Sequence, residues 1–154
     1  PVLVELLHPP RDYGVDGRSQ KPNTNDNSLV LKLTHGAHSF LWSGDLERRA
    51  ESAIIARLAP ERLRATILFA PHHGSRSSNT PAWVAAVAPQ EVVFSVGWQN
   101  PYGFPHAEVT ARYRSHGARL WRTDRHGAVA FTSDGRRLSI RSSLSPDSAV
   151  LPSP

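Results

Sequence analysis

An α/β sandwich, mixed sheets covered by helices, is the fold class predicted by this 154-residue sequence. Two observations carry that expectation. Apolar runs of strand length alternate with helix-period segments in the middle of the chain, and hairpin signals flank them. A third observation argues against a doubly wound sheet built around a phosphate loop: neither G-x-G-x-x-G nor a P-loop occurs.

The elements follow in order. "VLVELL" (Val2–Leu7) is a short apolar run that ends at "HPP", a strand and then a turn. Because strand-like sequence begins at once, the chain is expected to be a piece of something longer. Arg11–Asp26 is polar and rich in Gly and Asn, and reads as a loop. Ser28–Thr34 alternates and His38–Gly44 follows a glycine turn, which predicts a hairpin. Leu46, Ala50, Ala53, Ile54 and Leu58 recur at helical spacing before Pro60. "ATILFA" (Ala65–Ala70) is continuously apolar, as in a strand buried on both faces. Thr80-Pro81 is a cap followed by a first-turn proline, opening a helix to Ala88. "EVVFSV" (Glu91–Val96) is a strand, and Pro105–Ser115 is a helix stopped by Gly117. "ARLWR", "GAVAFT" and "RRLSIR" are three further strands, the last two joined through Ser133-Asp134-Gly135. The Ser/Pro-rich stretch 142–154 lacks periodicity and is expected to be a disordered tail to a domain spanning 1–141.

Composition narrows the class. The chain is 39% apolar with a mean hydropathy of −0.39, enough for one domain with a real core. No apolar run approaches a membrane span, and no signal-peptide pattern is visible. Lys and Arg number 18 against 13 Asp and Glu, giving a net charge of +5, mostly from arginine. Arginine suits phosphate through its bidentate fork, although the same surplus serves ordinary solubility. Cysteine is absent, so any metal must be held by His, Asp or Glu.

Two strand ends carry polar residues that a sheet does not need. "FLWSGDLE" places Asp45 beyond one apolar run, and "LFAPHHGS" places His72 and His73 beyond another. Open α/β sheets gather ligands at the carboxyl ends of their strands, where a carboxylate and an imidazole can share an ion. Alone, Asp45 reads as the N-cap of the following helix, and the histidines as turn residues bonded to backbone. Their joint occurrence favours a site. The loop "GWQNPYGFPH" gathers Trp98, Asn100, Tyr102 and Phe104; such aromatics stack bases or, the favoured reading, close an edge of the sandwich. Asn25–Ser28 can orient a ligand or simply form a turn. Arg122, Asp124 and Arg125 suit either a phosphate or a surface ion pair, and His8, His35, His38, His116 and His126 lack partners at metal spacing.

"NTNDNSLVLKL", "FLWSGDLERRAE", "FAPHHGSRSSNTP", "VVFSVGWQNPYGFPH" and "LWRTDRHGAVAFTSDG", in this order, resemble the C-terminal metallo-β-lactamase-like domain of the ComEC family of DNA-uptake proteins. The resemblance covers Val2 to Ile140 and implies the C-terminal part of an αββα sandwich. It implies that Asp45 is the carboxylate bridging two divalent ions, Zn or Mn. One of His72 and His73 would be the terminal imidazole ligand, His73 being favoured because Ser75 follows it by two. The implied activity is metal-dependent cleavage of DNA during natural transformation. Ser75, Arg76, Asn27, Asn100, His106 and Asp124 are the candidate substrate contacts. The implied partners are single-stranded DNA and the membrane channel portion of a parent protein, with the domain on the extracytoplasmic face and no small-molecule cofactor.

Two departures accompany the match. The superfamily motif H-x-H-x-D-H is absent from this sequence; in the family it lies upstream of the segment matching Val2–Leu7. The chain alone is therefore expected to bind metal weakly, to be inactive by itself, and to leave a sheet face exposed. Phe104 stands where G-H-P-H is common, giving G-F-P-H. Two other classes stay open: a degenerate, non-catalytic DNA-binding module, and a hydrolase of small esters or lactones on the same fold.

Overall fold

The computed structural model describes residues 1–10, 24–144 and 148–151; most of the loop expected at 11–26 lies outside them. Strands β1 (Val2–His8), β2 (Val30–His35), β3 (His38–Trp42), β4 (Ile67–Phe69), β5 (Glu91–Phe94) and β6 (Arg119–Arg122) form one sheet in that spatial order. The first three pair antiparallel, and β3 through β6 pair parallel. A tight turn at Gly36-Ala37 suffices for the β2–β3 hairpin. Parallel neighbours need a crossover, and the sequence provides a helix for each. Between β3 and β4 run α1 (Arg48–Arg57) and the short α2 (Pro60–Leu63); α3 (Pro81–Val87) joins β4 to β5, and α4 (Ala107–Ser115) joins β5 to β6. After the one-turn α5 (Thr123–His126), strands β7 (Val129–Ser133), β8 (Leu138–Ser142) and β9 (Ser148–Leu151) form a second, antiparallel sheet.

Alternation along the central strands explains the layering. Leu41, Leu68 and Val92 point to one face and pack with Ile54, Trp83, Val84, Val109 and Tyr113 of the helices. Phe40, Ile67 and Val93, with Trp121, point to the other face and meet Leu138 and Ile140 of the second sheet. The result is a mixed α/β fold, helices on one side of a mixed sheet and a smaller sheet on the other. Strands buried on both faces need apolar residues throughout, which is why "ATILFA" and "EVVF" read as unbroken runs.

Three boundaries differ from the sequence reading. Helix α1 begins at Arg48 with Glu47 in the N-cap position, so Asp45 is not its cap. Helix α4 begins at Ala107, two residues later than the proline suggests. Within the stretch expected to be a tail, Ser142 ends β8, and Ser148–Leu151 pairs with β8 from Leu138 to Arg141. Ala149 and Leu151 pack on the core between the sheets, burial that local composition does not announce. Val2, Leu3, Val4 and Leu6 of β1, at the sheet edge, are each more than half exposed. Helices cover one face of the central strands and β7–β9 the other, so the exposure is that of an edge strand and not of the sheet face that the sequence suggested.

The parallel strands fix the site. Since β3, β4 and β5 run the same way, with Trp42 beside Phe69 and Phe69 beside Val93, their carboxyl ends open at one rim of the sheet. Asp45, His72, His73 and Ser95 all lie within a few residues of those ends.

Candidate functional site

Three loops meet at this rim. The first, after β3, is tied to the second, after β4, by a backbone bond from His72 N–H to the Gly44 carbonyl at 3.0 Å. The Asp45 amide donates to Ser28 Oγ at 3.0 Å, and the Glu47 amide to Asp26 Oδ1 at 3.3 Å. The segment Asn25–Ser28 therefore braces the loop that carries Asp45, rather than merely preceding a strand. The second loop is clamped to the third at Gly74, whose carbonyl accepts from His106 N–H at 3.1 Å. Gly74 has φ +86, and a Cβ there would lie 2.5 Å from Pro105 Cβ and 2.8 Å from Phe94 Cδ1. Only glycine fits that approach.

His72 and His73 both adopt left-handed backbone, with φ of 48° and 55°. Such conformations cost about 1–3 kcal/mol per non-glycine residue and persist where surrounding structure over-determines them. Here the surrounding structure is a buried polar network. Glu51, on α1 and fully buried, accepts from Asn79 N–H at 2.5 Å and Thr80 N–H at 3.0 Å. The Asn79 side chain donates to the carbonyls of Pro71 and Ser75 at 3.0 and 3.2 Å, and its Oδ1 accepts from Tyr113 Oη at 2.7 Å. Arg112 donates to the Asn79 carbonyl, and Ser78 Oγ to that of Leu46 at 2.7 Å. Burial pushes the Glu51 carboxyl above the usual range, against the pull of the amides it accepts from. Tyr113 is pushed well above the ordinary phenol value by burial and then by the nearby Glu51 charge.

The two histidines end in different company. His72 Nδ1 lies 3.2 Å from Glu47 Oε1 and 3.4 Å from Ser77 Oγ, and that carboxylate oxygen also accepts from Asn25 Nδ2 at 3.1 Å. His73 Nδ1 lies 2.7 Å from the Ser95 carbonyl, and its Nε2 lies 3.4 Å from Asp45 Oδ1. A carbonyl only accepts, so Nδ1 carries a proton, and whenever the ring holds no second one its Nε2 lone pair faces the carboxylate. Two acceptors face each other across a half-exposed gap, an arrangement completed by a cation or an added proton. A hydrogen bond on the far nitrogen is how protein imidazoles are oriented for metal. Asp45 and His73 thus fit two positions of an ion's shell. Among the described residues, no group of three or more His, Asp or Glu side chains converges at metal-holding spacing.

A cleft of about 430 Å³ opens over the pair, lined by Asp45, His72, His73, Ser95, Asn100 and Phe104, among others. Phe104 lies against both histidines, its ring centroid 5.8 Å from that of His72 and 6.4 Å from that of His73. Asn100 lines the cleft while donating to the Phe104 carbonyl and accepting its N–H, both at 2.9 Å. Ser75 is buried, its Oγ 3.0 Å from Ser77 Oγ. Arg76 is exposed beside Arg48, Arg49 and Ser77 in a neighbouring groove. Asn27 is exposed at the end of the 3₁₀ turn Thr24–Asn27. His106 stands in the N-cap position of α4 with a buried Nδ1 that has no hydrogen-bond partner. Asp124 is held by a two-pronged pair with Arg122 at 2.9 and 2.6 Å, which keeps its carboxyl below the usual range. Thr123 and Asp124 follow β6, and Thr123 Oγ1 binds Val96 N–H at 2.7 Å, which ties this strand end to the cleft. Sequence reasoning missed Glu47, Glu51, Ser95, Asn79 and Tyr113. The Ser95 contribution is a backbone carbonyl, and Tyr113 lies 34 residues from the asparagine it binds, so neither leaves a local signal.

No family model matches the chain. Among curated proteins it is 36% identical over 115 residues to "Competence protein ComA" of Neisseria gonorrhoeae, covering 73% of this chain and 16% of that protein. It is 31% identical over 112 residues to "ComE operon protein 3" of Bacillus subtilis, covering 73% and 14% respectively. The chain is homologous to a segment of these two proteins. A third match, "Recombination protein 2" of Haemophilus influenzae, is 30% identical over 117 residues, 76% of this chain and 14% of that protein. The chain thus spans only about one-seventh to one-sixth of the length of the curated relatives it matches. Among the described residues, no helix is long and apolar enough to cross a membrane.

Proposed function

We propose that this chain is the C-terminal part of a metallo-β-lactamase-like domain that cleaves DNA phosphodiesters in a competence protein, with Asp45 and His73 as metal ligands. The observation that carries the proposal is the His73 geometry: Nδ1 committed to Ser95, Nε2 facing Asp45 at 3.4 Å, at the carboxyl ends of neighbouring parallel strands. The names of the homologues support a role in DNA uptake. A divalent ion held there by Asp45 and His73, zinc or manganese, would lower the pKa of bound water toward about 7 and so would supply a nucleophile at neutral pH.

The chain's own residues supply the setting. Asp45 contributes a carboxylate that reaches the cleft because the Ser28 hydroxyl fixes its backbone. Ser95 holds the His73 tautomer, and Phe104 keeps an apolar wall beside both imidazoles. Glu47 engages Nδ1 of His72, whereas His73 turns its Nε2 to Asp45, so His73 is the preferred ligand and His72 the secondary one. Remaining metal ligands come from outside the described residues. The working partners in this reading are a DNA strand and the membrane portion of a parent protein, with this domain on the extracytoplasmic side.

Calorimetric titration of the chain with Mn²⁺ or Zn²⁺ tests the ligand assignment. Affinity should fall about tenfold or more in Asp45→Ala and His73→Ala, with a smaller loss in His72→Ala. A larger loss in His72→Ala than in His73→Ala would sink the assignment of His73. The full-length protein should cut a single-stranded oligonucleotide only with divalent metal and only with Asp45 intact. If it binds DNA in a salt-sensitive way but never cuts it with any divalent ion, the non-catalytic module is the correct reading.

A further inference from the structure

Of the three aromatics in the loop after β5, Phe104 packs against the helix-side core as the edge-closing reading expects, but Trp98 and Tyr102 do not. Trp98 is 76% exposed and Tyr102 72% exposed, so neither ring is used in the core. Exposing two large aromatics leaves stacking area unused unless something covers it. The loop is nonetheless built to a fixed shape. Asn100 N–H donates to the Gly97 carbonyl at 3.3 Å, Gly103 N–H to the Asn100 carbonyl at 3.3 Å, and the Asn100 amide grips both backbone groups of Phe104.

The rings form a ladder. Tyr102 stacks on Phe104 with centroids 5.5 Å apart and an interplanar angle of 20°, and Phe104 lies over His73 at 6.4 Å and 22°. Nearly parallel planes therefore run from solvent at Tyr102 to the imidazole facing Asp45. Beside His72, a groove lined by Arg48, Arg49 and Arg76 together with Asp26 and Glu47 carries a surplus of cationic groups. An occupant of both features must present flat apolar faces and carry negative charge. Unpaired nucleobases on a phosphate backbone meet both demands, whereas duplex bases are already stacked on one another.

We infer that Tyr102 and Trp98 form a stacking platform for unpaired bases of a single nucleic-acid strand, delivering its backbone to the Asp45–His73 pair. This rests on the reading that the substrate is DNA, and it adds the residues that select single strands. A lipid surface would also take exposed Trp and Tyr beside positive charge. It gives no reason for ring planes to be ordered toward a polar pair.

The test is binding without metal, so that it stands apart from cleavage. The chain is titrated in EDTA with fluorescein-labelled oligo(dT) of 12 nucleotides and, separately, with a 12-base-pair duplex. Trp98→Ala and Tyr102→Ala should each weaken oligo(dT) binding roughly 5- to 150-fold, the range for losing one base–aromatic stack, and leave duplex binding within about twofold. Trp98→Phe and Tyr102→Phe should restore most of the affinity, which separates stacking from misfolding. Unchanged oligo(dT) affinity in the alanine variants overturns the platform. So does a loss of equal size on duplex. A Trp98 fluorescence shift with phosphatidylglycerol vesicles but none with oligo(dT) assigns the loop to a membrane surface instead. If stacking is confirmed and cleavage by the full-length protein is absent, only the nuclease reading fails.

Discussion

The loops 71–80 and 95–106 face each other across one cleft and are stabilised in opposite ways. The first places His72 and His73 in left-handed backbone and is held from beneath by its own buried Asn79, which is gripped by Glu51 of α1 and by Arg112 and Tyr113 of α4. The second is held mainly by its own asparagine and leaves Trp98 and Tyr102 in solvent. A loop that positions reacting groups needs over-determination from distant elements, because unsatisfied buried groups penalise each small departure. A loop that receives a flexible strand needs only a steady platform and free area.

Breaking the clamp between the loops should have the largest effect. Gly74→Ala introduces a methyl 2.5 Å from Pro105 Cβ at a φ of +86, and should cost about 4 kcal/mol or more in urea denaturation. A loss under about 1 kcal/mol would mean that the two loops separate easily.

Next comes the direct contrast between the two asparagines. Asn79→Ala strands the Tyr113 hydroxyl and the carbonyls of Pro71 and Ser75, and puts alanine at a φ of 61, which should cost about 3 kcal/mol. Asn100→Ala likewise removes three side-chain bonds, with the Gly97 carbonyl and both backbone groups of Phe104, but in a loop that water reaches, and should cost about 1 kcal/mol. Equal costs would erase the proposed difference between a positioning loop and a receiving loop.

The smallest effect lies at the start of the strand that feeds the second loop. Glu91 is buried, with Trp121 Nε1 donating to it at 2.6 Å, and burial raises its carboxyl above the usual range. A raised folded value means that its contribution to stability is fully present below the unfolded value, about 4.3, and is lost as pH rises through the folded one. The difference in stability between wild type and Glu91→Gln should therefore shift against wild type as pH rises from about 4 toward 7. Denaturation midpoints that stay parallel across that range would contradict the assignment.

Much of the fold could be read along the chain because its signals are local. Thr80 caps α3 as expected, accepting from Trp83 N–H at 3.2 Å, since cap and first-turn proline are set by neighbours in sequence. The central strands were legible from unbroken apolar runs, and the hairpins from glycine turns. Strand β9 was not, because four residues between Pro-containing segments become a strand only when β8 offers an edge to pair with.

The site divides along the same line. Sequence alone determined that Asp45 and the His72-His73 pair follow strands, and that these 154 residues contribute no thiolate. Parallel pairing then made those strand ends neighbours, a long-range fact. Only the tertiary structure decided which histidine faces Asp45. That choice depends on the Ser95 carbonyl holding one ring and Glu47 the other. It likewise decided that Trp98 and Tyr102 face solvent and not the sandwich edge, because exposure is set by what packs over a residue and not by the residue itself.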